Sequence, residues 1–201
     1  LIWASASRAD FVDQVRAMRE RVTDHIPAEE VDLQIKLGPG GLRDIEFTVQ
    51  LLQLVHGQHD ESVRERSTLA ALEALSEGGY IGRDDANQFS SDYEFLRLLE
   101  HRIQLRALRR THLMPTSDIE RAVLARSASF ANSRELTDEW QRVKLRVRGL
   151  HEKVFYRPLL SAVAALPTEG FALSSDQAEA RLRAIGFLDP KGALAHITAL
   201  V

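Results

Sequence analysis

Gly38-Pro39-Gly40-Gly41-Leu42-Arg43-Asp44-Ile45-Glu46-Phe47-Thr48-Val49-Gln50-Leu51-Leu52-Gln53-Leu54-Val55-His56-Gly57 carries the decisive pattern of this 201-residue chain. A cluster of structure breakers, Gly38 to Gly41, gives way to an uninterrupted run that closes at Gly57. Within it Leu42, Ile45, Val49 and Leu52 recur at three- and four-residue steps, the period of an α-helix. Phe47, Leu51, Leu54 and Val55 add apolar surface on the other sides, so the helix belongs inside a core.

The flanking sequence supplies helices to surround it. Residues 8 to 26 place Phe11, Val15, Met18 and Val22 at helical spacing, and Pro27 ends that run. Further amphipathic helices are expected at about 62 to 77, 84 to 110 behind Asp84-Asp85, 117 to 129 behind Ser117-Asp118, and 133 to 156. Pro158 interrupts the last, which can continue, kinked, to Ala165. Two short helices follow, one ending near Gly186 and one opening at Asp189-Pro190. Only Val31-Asp32-Leu33-Gln34-Ile35-Lys36-Leu37 alternates apolar and polar residues, so there is at most one short extended segment near 31 to 37. Such a segment must pair outside the chain or serve as a lead-in. No solenoid period is present, and the expected class is all-α, a helical bundle.

Composition excludes several classes. With no cysteine there is no disulfide framework and no thiolate chemistry, which fits a reducing cytoplasm. The opening Leu1-Ile2-Trp3-Ala4-Ser5 lacks the features of a signal peptide and reads as a cut inside a longer chain. No apolar run approaches the roughly 20 residues that cross a bilayer, so no membrane partner is expected. A net charge of −3 and a lack of aromatic platforms beside Arg97, His101, Arg102, Arg106, Arg109 and Arg110 argue against nucleic acid. Residues 97 to 157 nevertheless hold fourteen Lys and Arg against seven Asp and Glu, whereas residues 1 to 96 hold nine against eighteen. That polarity suits an intramolecular or solvated arrangement.

The chemistry concentrates around the glycine turn. Paired Gly40 and Gly41 permit close backbone approach, and the first amides of a helix form a natural anion site. Lys36 and Arg43 would add a point charge and a bidentate fork for phosphate. The alternative is a plain turn, with Lys36 solvated and Arg43 paired to Asp44 or Glu46. Arg43, Glu46, Gln50 and Gln53 share one stripe, and a polar stripe on a buried helix faces either a site or a structural network. His56-Gly57-Gln58-His59-Asp60-Glu61 holds metal-ligand types but straddles a helix end, and it is not read as a metal site.

The run Lys36-Leu37-Gly38-Pro39-Gly40-Gly41-Leu42-Arg43-Asp44-Ile45-Glu46-Phe47-Thr48-Val49-Gln50 resembles the signature that follows the nucleotidyltransferase core in the glutamine synthetase adenylyltransferases. Its core is also similar to the uridylyltransferases that modify PII signal proteins. Arg64 to Leu72 and Tyr93 to Leu105 resemble the adenylyltransferases more closely, and the likeness covers most of residues 1 to 160. The pattern is more like the adenylyl-removing half of these tandem enzymes, and Arg181 to Leu194 resembles the entry into the adenylyl-transferring half. The resemblance implies a helical domain over 1–165 and a linker with first helices over 166–201. It implies a parent that removes AMP from a tyrosine of glutamine synthetase by phosphorolysis and attaches it using ATP, controlling nitrogen assimilation under PII regulation.

The family's catalytic cores hold Mg²⁺ through a Gly-Ser…Asp-x-Asp constellation, and this chain has neither the Gly-Ser pair nor the loop. The resemblance therefore implies no catalytic or metal residue here, an isolated chain without activity, and Mg²⁺ with ATP or ADP bound in the full-length enzyme. The site residues it suggests are Lys36, Gly40, Gly41, Arg43, Asp44, Glu46 and Gln50. Lys36 and Arg43 would meet phosphate oxygens, Glu46 and Gln50 would orient them or contact ribose, and Asp44 would cap the turn or meet metal through water. The alternatives are a protein-interaction module docking glutamine synthetase or PII, and the helical domain of a PII uridylyltransferase.

Overall fold

The computed structural model describes residues 14, 18, 21 and 25–164, with side chains through Val154. The chain divides into two compact units, Leu1–Ala164 and Ala165–Val201, and the second lies outside the described residues. So do the two expected helices after residue 173, and most of the one expected over 8 to 26.

Among the described residues there are five α-helices: α1 (Leu42–His56), α2 (Thr68–Glu77), α3 (Arg83–Ala107), α4 (Asp118–Ser127) and α5 (Ser133–Ala164). Short 3-10 turns cover Ala28–Leu33 and Glu61–Val63. The protein is an all-α bundle in which α1 packs against α5, α2 and α3. Leu42, Ile45, Val49 and Leu52 are buried, each contributing about 1.5–3 kcal/mol by leaving water. They meet Leu72 and Leu75 from α2, Phe89, Leu96 and Leu99 from α3, and Leu136, Trp140 and Val143 from α5 in one core.

Helix ends follow local chemistry. Asn132 caps α5 reciprocally: its Oδ1 accepts from Glu135 N at 2.9 Å, and its Nδ2 donates to Glu135 Oε1 at 3.0 Å. At α3 no side chain caps the N-terminus, and Asp85 instead receives Lys153 Nζ at 2.8 Å. That helix ends at Leu108, a left-handed residue with φ of 49°. Helix α5 runs through position 158 to Ala164, so Pro158 does not end it.

The segment expected to be extended is the main departure. Ala28–Leu33 forms a 3-10 turn, and extended backbone starts only at Gln34, which makes an antiparallel bridge to Leu113. Ile35 N donates to His112 O at 2.8 Å and Met114 N to Leu33 O at 2.8 Å. The partner is therefore within the chain, a return loop that alternation alone does not reveal.

Candidate functional site at the start of the first helix

Gly40 adopts φ of 75°, the left-handed region, and its hydrogen faces the backbone of α5: a Cβ there would stand 2.1 Å from Lys144 O. A Cβ on Gly41 would stand 2.6 Å from Ile35 O. The pair therefore lets the turn press between α5 and the lead-in segment around Ile35.

That closeness consumes the donors of the helix start. Gly41 N donates to Gly38 O at 3.0 Å, Leu42 N to Ile35 O at 3.1 Å, Arg43 N to Lys36 O at 2.9 Å and Asp44 N to Gly41 O at 3.1 Å. Gly40 N donates to Asp44 Oδ2 at 2.8 Å, so the buried Asp44 carboxylate takes the place an anion would occupy. Gly40, Gly41 and Asp44 thus build and close the turn, and the expectation of an amide-lined phosphate cradle does not fit this geometry.

The side chains of the motif reach outward to different degrees. Arg43 pairs with Glu46 at 3.1 Å and its guanidinium lies 5.5 Å from the Phe47 ring centroid, while its buried Nε has no hydrogen-bond partner. Gln50 is exposed. Gln53, expected on the same stripe, is buried and donates from Nε2 to Val63 O and Glu65 O, each at 2.7 Å, so it ties α1 to the following loop. Lys36 donates to Glu100 Oε1 at 3.2 Å.

Sequence reading missed several buried polar groups around this turn. Thr48 Oγ1 donates to Asp44 O at 2.7 Å, and His151 Nδ1 lies 2.7 Å from Thr48 Oγ1 and 3.1 Å from Asp44 O. A proton on Nδ1 satisfies both contacts, fixing α5 to the first turn of α1. Asp92 and Glu100 are buried acids on α3. Asp92 takes the Arg146 fork, Nη2 to Oδ1 at 2.7 Å and Nε to Oδ2 at 3.3 Å, and that hydrogen bonding raises the arginine's pKa above its usual value. The available signal was its place at core spacing among Phe89, Leu96, Leu99 and Ile103.

Lys144 sends its ammonium to Asp32 O at 3.0 Å and over the Trp140 ring, 4.9 Å from the centroid. Burial lowers its pKa below the usual lysine value, with Asp32 pulling the other way. At the far end of α1, His56 stacks on Tyr80 with centroids 4.0 Å apart, and Tyr80 donates to Asp60 at 3.0 Å. Bonds from Ser62, then from Tyr80, lower the Asp60 pKa. Among the described residues no group of three or more His, Asp or Glu is placed to hold a metal ion, and no helix is long and apolar enough to cross a membrane.

A family model described as GlnD PII-uridylyltransferase matches residues 10–155. A Leifsonia xyli subsp. xyli protein named bifunctional glutamine synthetase adenylyltransferase/adenylyl-removing enzyme is 62% identical over 206 residues, covering 99% of this chain and 20% of that protein. Proteins of the same name from Streptomyces coelicolor and Corynebacterium glutamicum are 53% and 47% identical, each over 100% of this chain and 20% of their own length. The chain thus spans about a fifth of the length of the curated relatives it matches. It belongs to the GlnD PII-uridylyltransferase domain family, in the form found within the bifunctional glutamine synthetase adenylyltransferase/adenylyl-removing enzymes.

Proposed function

We propose that this chain is the helical part of the adenylyl-removing half of a nucleotidyltransferase that removes AMP from a tyrosine of glutamine synthetase and, in its other half, adds it. The observation that carries this reading is 62% identity across 99% of the chain to the Leifsonia xyli protein, whose name gives both activities. That extent favours adenylyl over uridylyl transfer, the reaction in the family model's description. The helical domain would span 1–165, and 166–201 would lead into the adenylyl-transferring half. Such an enzyme acts in the cytoplasm on glutamine synthetase and answers to a PII signal protein.

In this reading the catalytic core and its carboxylates lie in sequence outside these 201 residues, and Mg²⁺ with ATP or ADP supplies the phosphoryl chemistry there. This chain furnishes a wall. Lys36 and Arg43 supply positive side chains for phosphate oxygens, while Glu46 accepts from Arg43 Nη1 and Gln50 offers an exposed amide. Gly40, Gly41 and Asp44 serve by setting the position of that wall. Alone, the chain would be inactive.

The test is phosphorolysis of adenylylated glutamine synthetase by the full-length enzyme. Lys36→Ala and Arg43→Ala should each lower the rate by about tenfold or more, the loss of one charge-assisted hydrogen bond, and leave adenylyl transfer by the other half intact. Unchanged phosphorolysis in both variants would remove the wall from the mechanism.

A further inference from the structure

Glu100 has a side chain only 2% exposed, and three basic side chains from separate places in the chain meet at it. Lys36, on the lead-in to α1, donates to Oε1 at 3.2 Å. Arg97, one turn back on α3, donates from Nη1 to Oε2. His112, on the loop after α3, holds Nδ1 2.9 Å from Oε1 without the alignment of a hydrogen bond.

One cation neutralises a buried carboxylate. Here Lys36 and Arg97 already exceed it, and a protonated His112 would add a third positive charge. None of the three has another acidic partner among the described residues. Crowding like charges around one carboxylate is unfavourable unless a further negative charge meets the surplus. All three remain open to solvent, Lys36 at 23%, Arg97 at 39% and His112 at 28%. Donors are also left over: Lys36 makes one hydrogen bond, and Arg97 uses only one of its guanidinium nitrogens.

We infer that Lys36, Arg97 and His112, assembled on Glu100, form a subsite for a phosphate-class oxyanion. A tetrahedral phosphate can give separate oxygens to an ammonium, a guanidinium edge and an imidazole at once, and it carries enough charge to balance the surplus. Glu100 holds the three groups together and keeps the net charge low enough for reversible binding. The inference deepens the role proposed for Lys36 and rests on that reading only for the origin of the phosphate, either free orthophosphate or a nucleotide's phosphate.

Calorimetric titration of the 201-residue chain with orthophosphate, AMP and ADP tests the subsite, with retention of fold followed by circular dichroism. Saturable binding is expected, and Lys36→Gln and Arg97→Gln should each weaken it by about tenfold. Arg121→Gln, whose partner is Asp118 on α4, should leave it unchanged. Tighter orthophosphate binding identifies a free-phosphate subsite; tighter AMP or ADP binding with the same residue dependence identifies a nucleotide phosphate. Should Arg97→Gln unfold, Arg97→Lys keeps the charge without the fork and should still weaken binding severalfold. No saturable binding of any of the three ligands, or affinity unchanged in the folded variants, overturns the subsite. If that occurs while Lys36→Ala and Arg43→Ala still slow phosphorolysis in the full-length enzyme, the subsite fails and the proposed function stands.

Discussion

Two glycines with nearly identical backbones allow the tight seat of α1 on α5 to be measured. Gly40 has φ of 75° and Gly79 has φ of 74°, so an alanine at either place incurs about 1–2 kcal/mol for left-handed backbone. Their surroundings differ. A Cβ at Gly79 meets nothing within 4 Å, whereas one at Gly40 lies 2.1 Å from Lys144 O and 2.7 Å from its carbonyl carbon. Relief demands that two packed backbones separate by more than an ångström, which adds roughly 1–3 kcal/mol of overpacking. For a chain of this size each kcal/mol lowers Tm by about 2–4 °C, so Gly79→Ala should cost about 2–8 °C and Gly40→Ala about 4–20 °C. Thermal unfolding followed by far-ultraviolet circular dichroism reads the difference directly. Equal shifts in the two variants would refute close backbone contact between the turn and α5, and with it the explanation of Gly40.

Other variants probe the buried polar contacts. Burial holds the His56 imidazole below its usual pKa of 6.5, against the opposing pull of Asp60. The unfolded chain therefore binds that proton first, and this group's contribution makes stability fall as pH drops through 6.5 toward the folded-state value. His56→Phe should preserve the stack on Tyr80 and flatten that part of the urea-midpoint profile. Arg146→Met leaves Asp92 buried with only the Gln88 amide, at 3.2 Å, and should destabilise the chain by roughly 3 kcal/mol in urea unfolding. Adding Asp92→Leu to it should recover most of that loss. Gln53→Leu removes the donor to Val63 O and Glu65 O and should cost about 2 kcal/mol in the same assay.

The helices were legible because their evidence is local. The apolar period from Leu42 to His56 and the breakers around it act within a few residues. What escaped depends on residues distant in sequence. Val31 to Leu37 alternates like a strand, yet only Gln34 makes a bridge, because its partner arrives from Leu113. The glycine turn is a different case, since the sequence leaves Asp44 to cap it or to meet metal, and the bond from Gly40 N, four residues away, is the cap. Lys36 and Glu100 are unremarkable apart, and their pairing needs α3 to lie beside the lead-in. Arg43 and Glu46 stand one turn apart on α1, and their pairing was legible from that spacing.

The bridge between Gln34 and Leu113 has a consequence for assembly. It ties two points separated by three intervening helices, and closing so long a loop carries an entropy cost. Packing of α1, α2 and α3 shortens the gap that this bridge has to close. The bridge is expected to close late in folding, so that Lys36 meets Glu100 after α3 is in place, and a low φ-value for a Leu113 variant would bear that out.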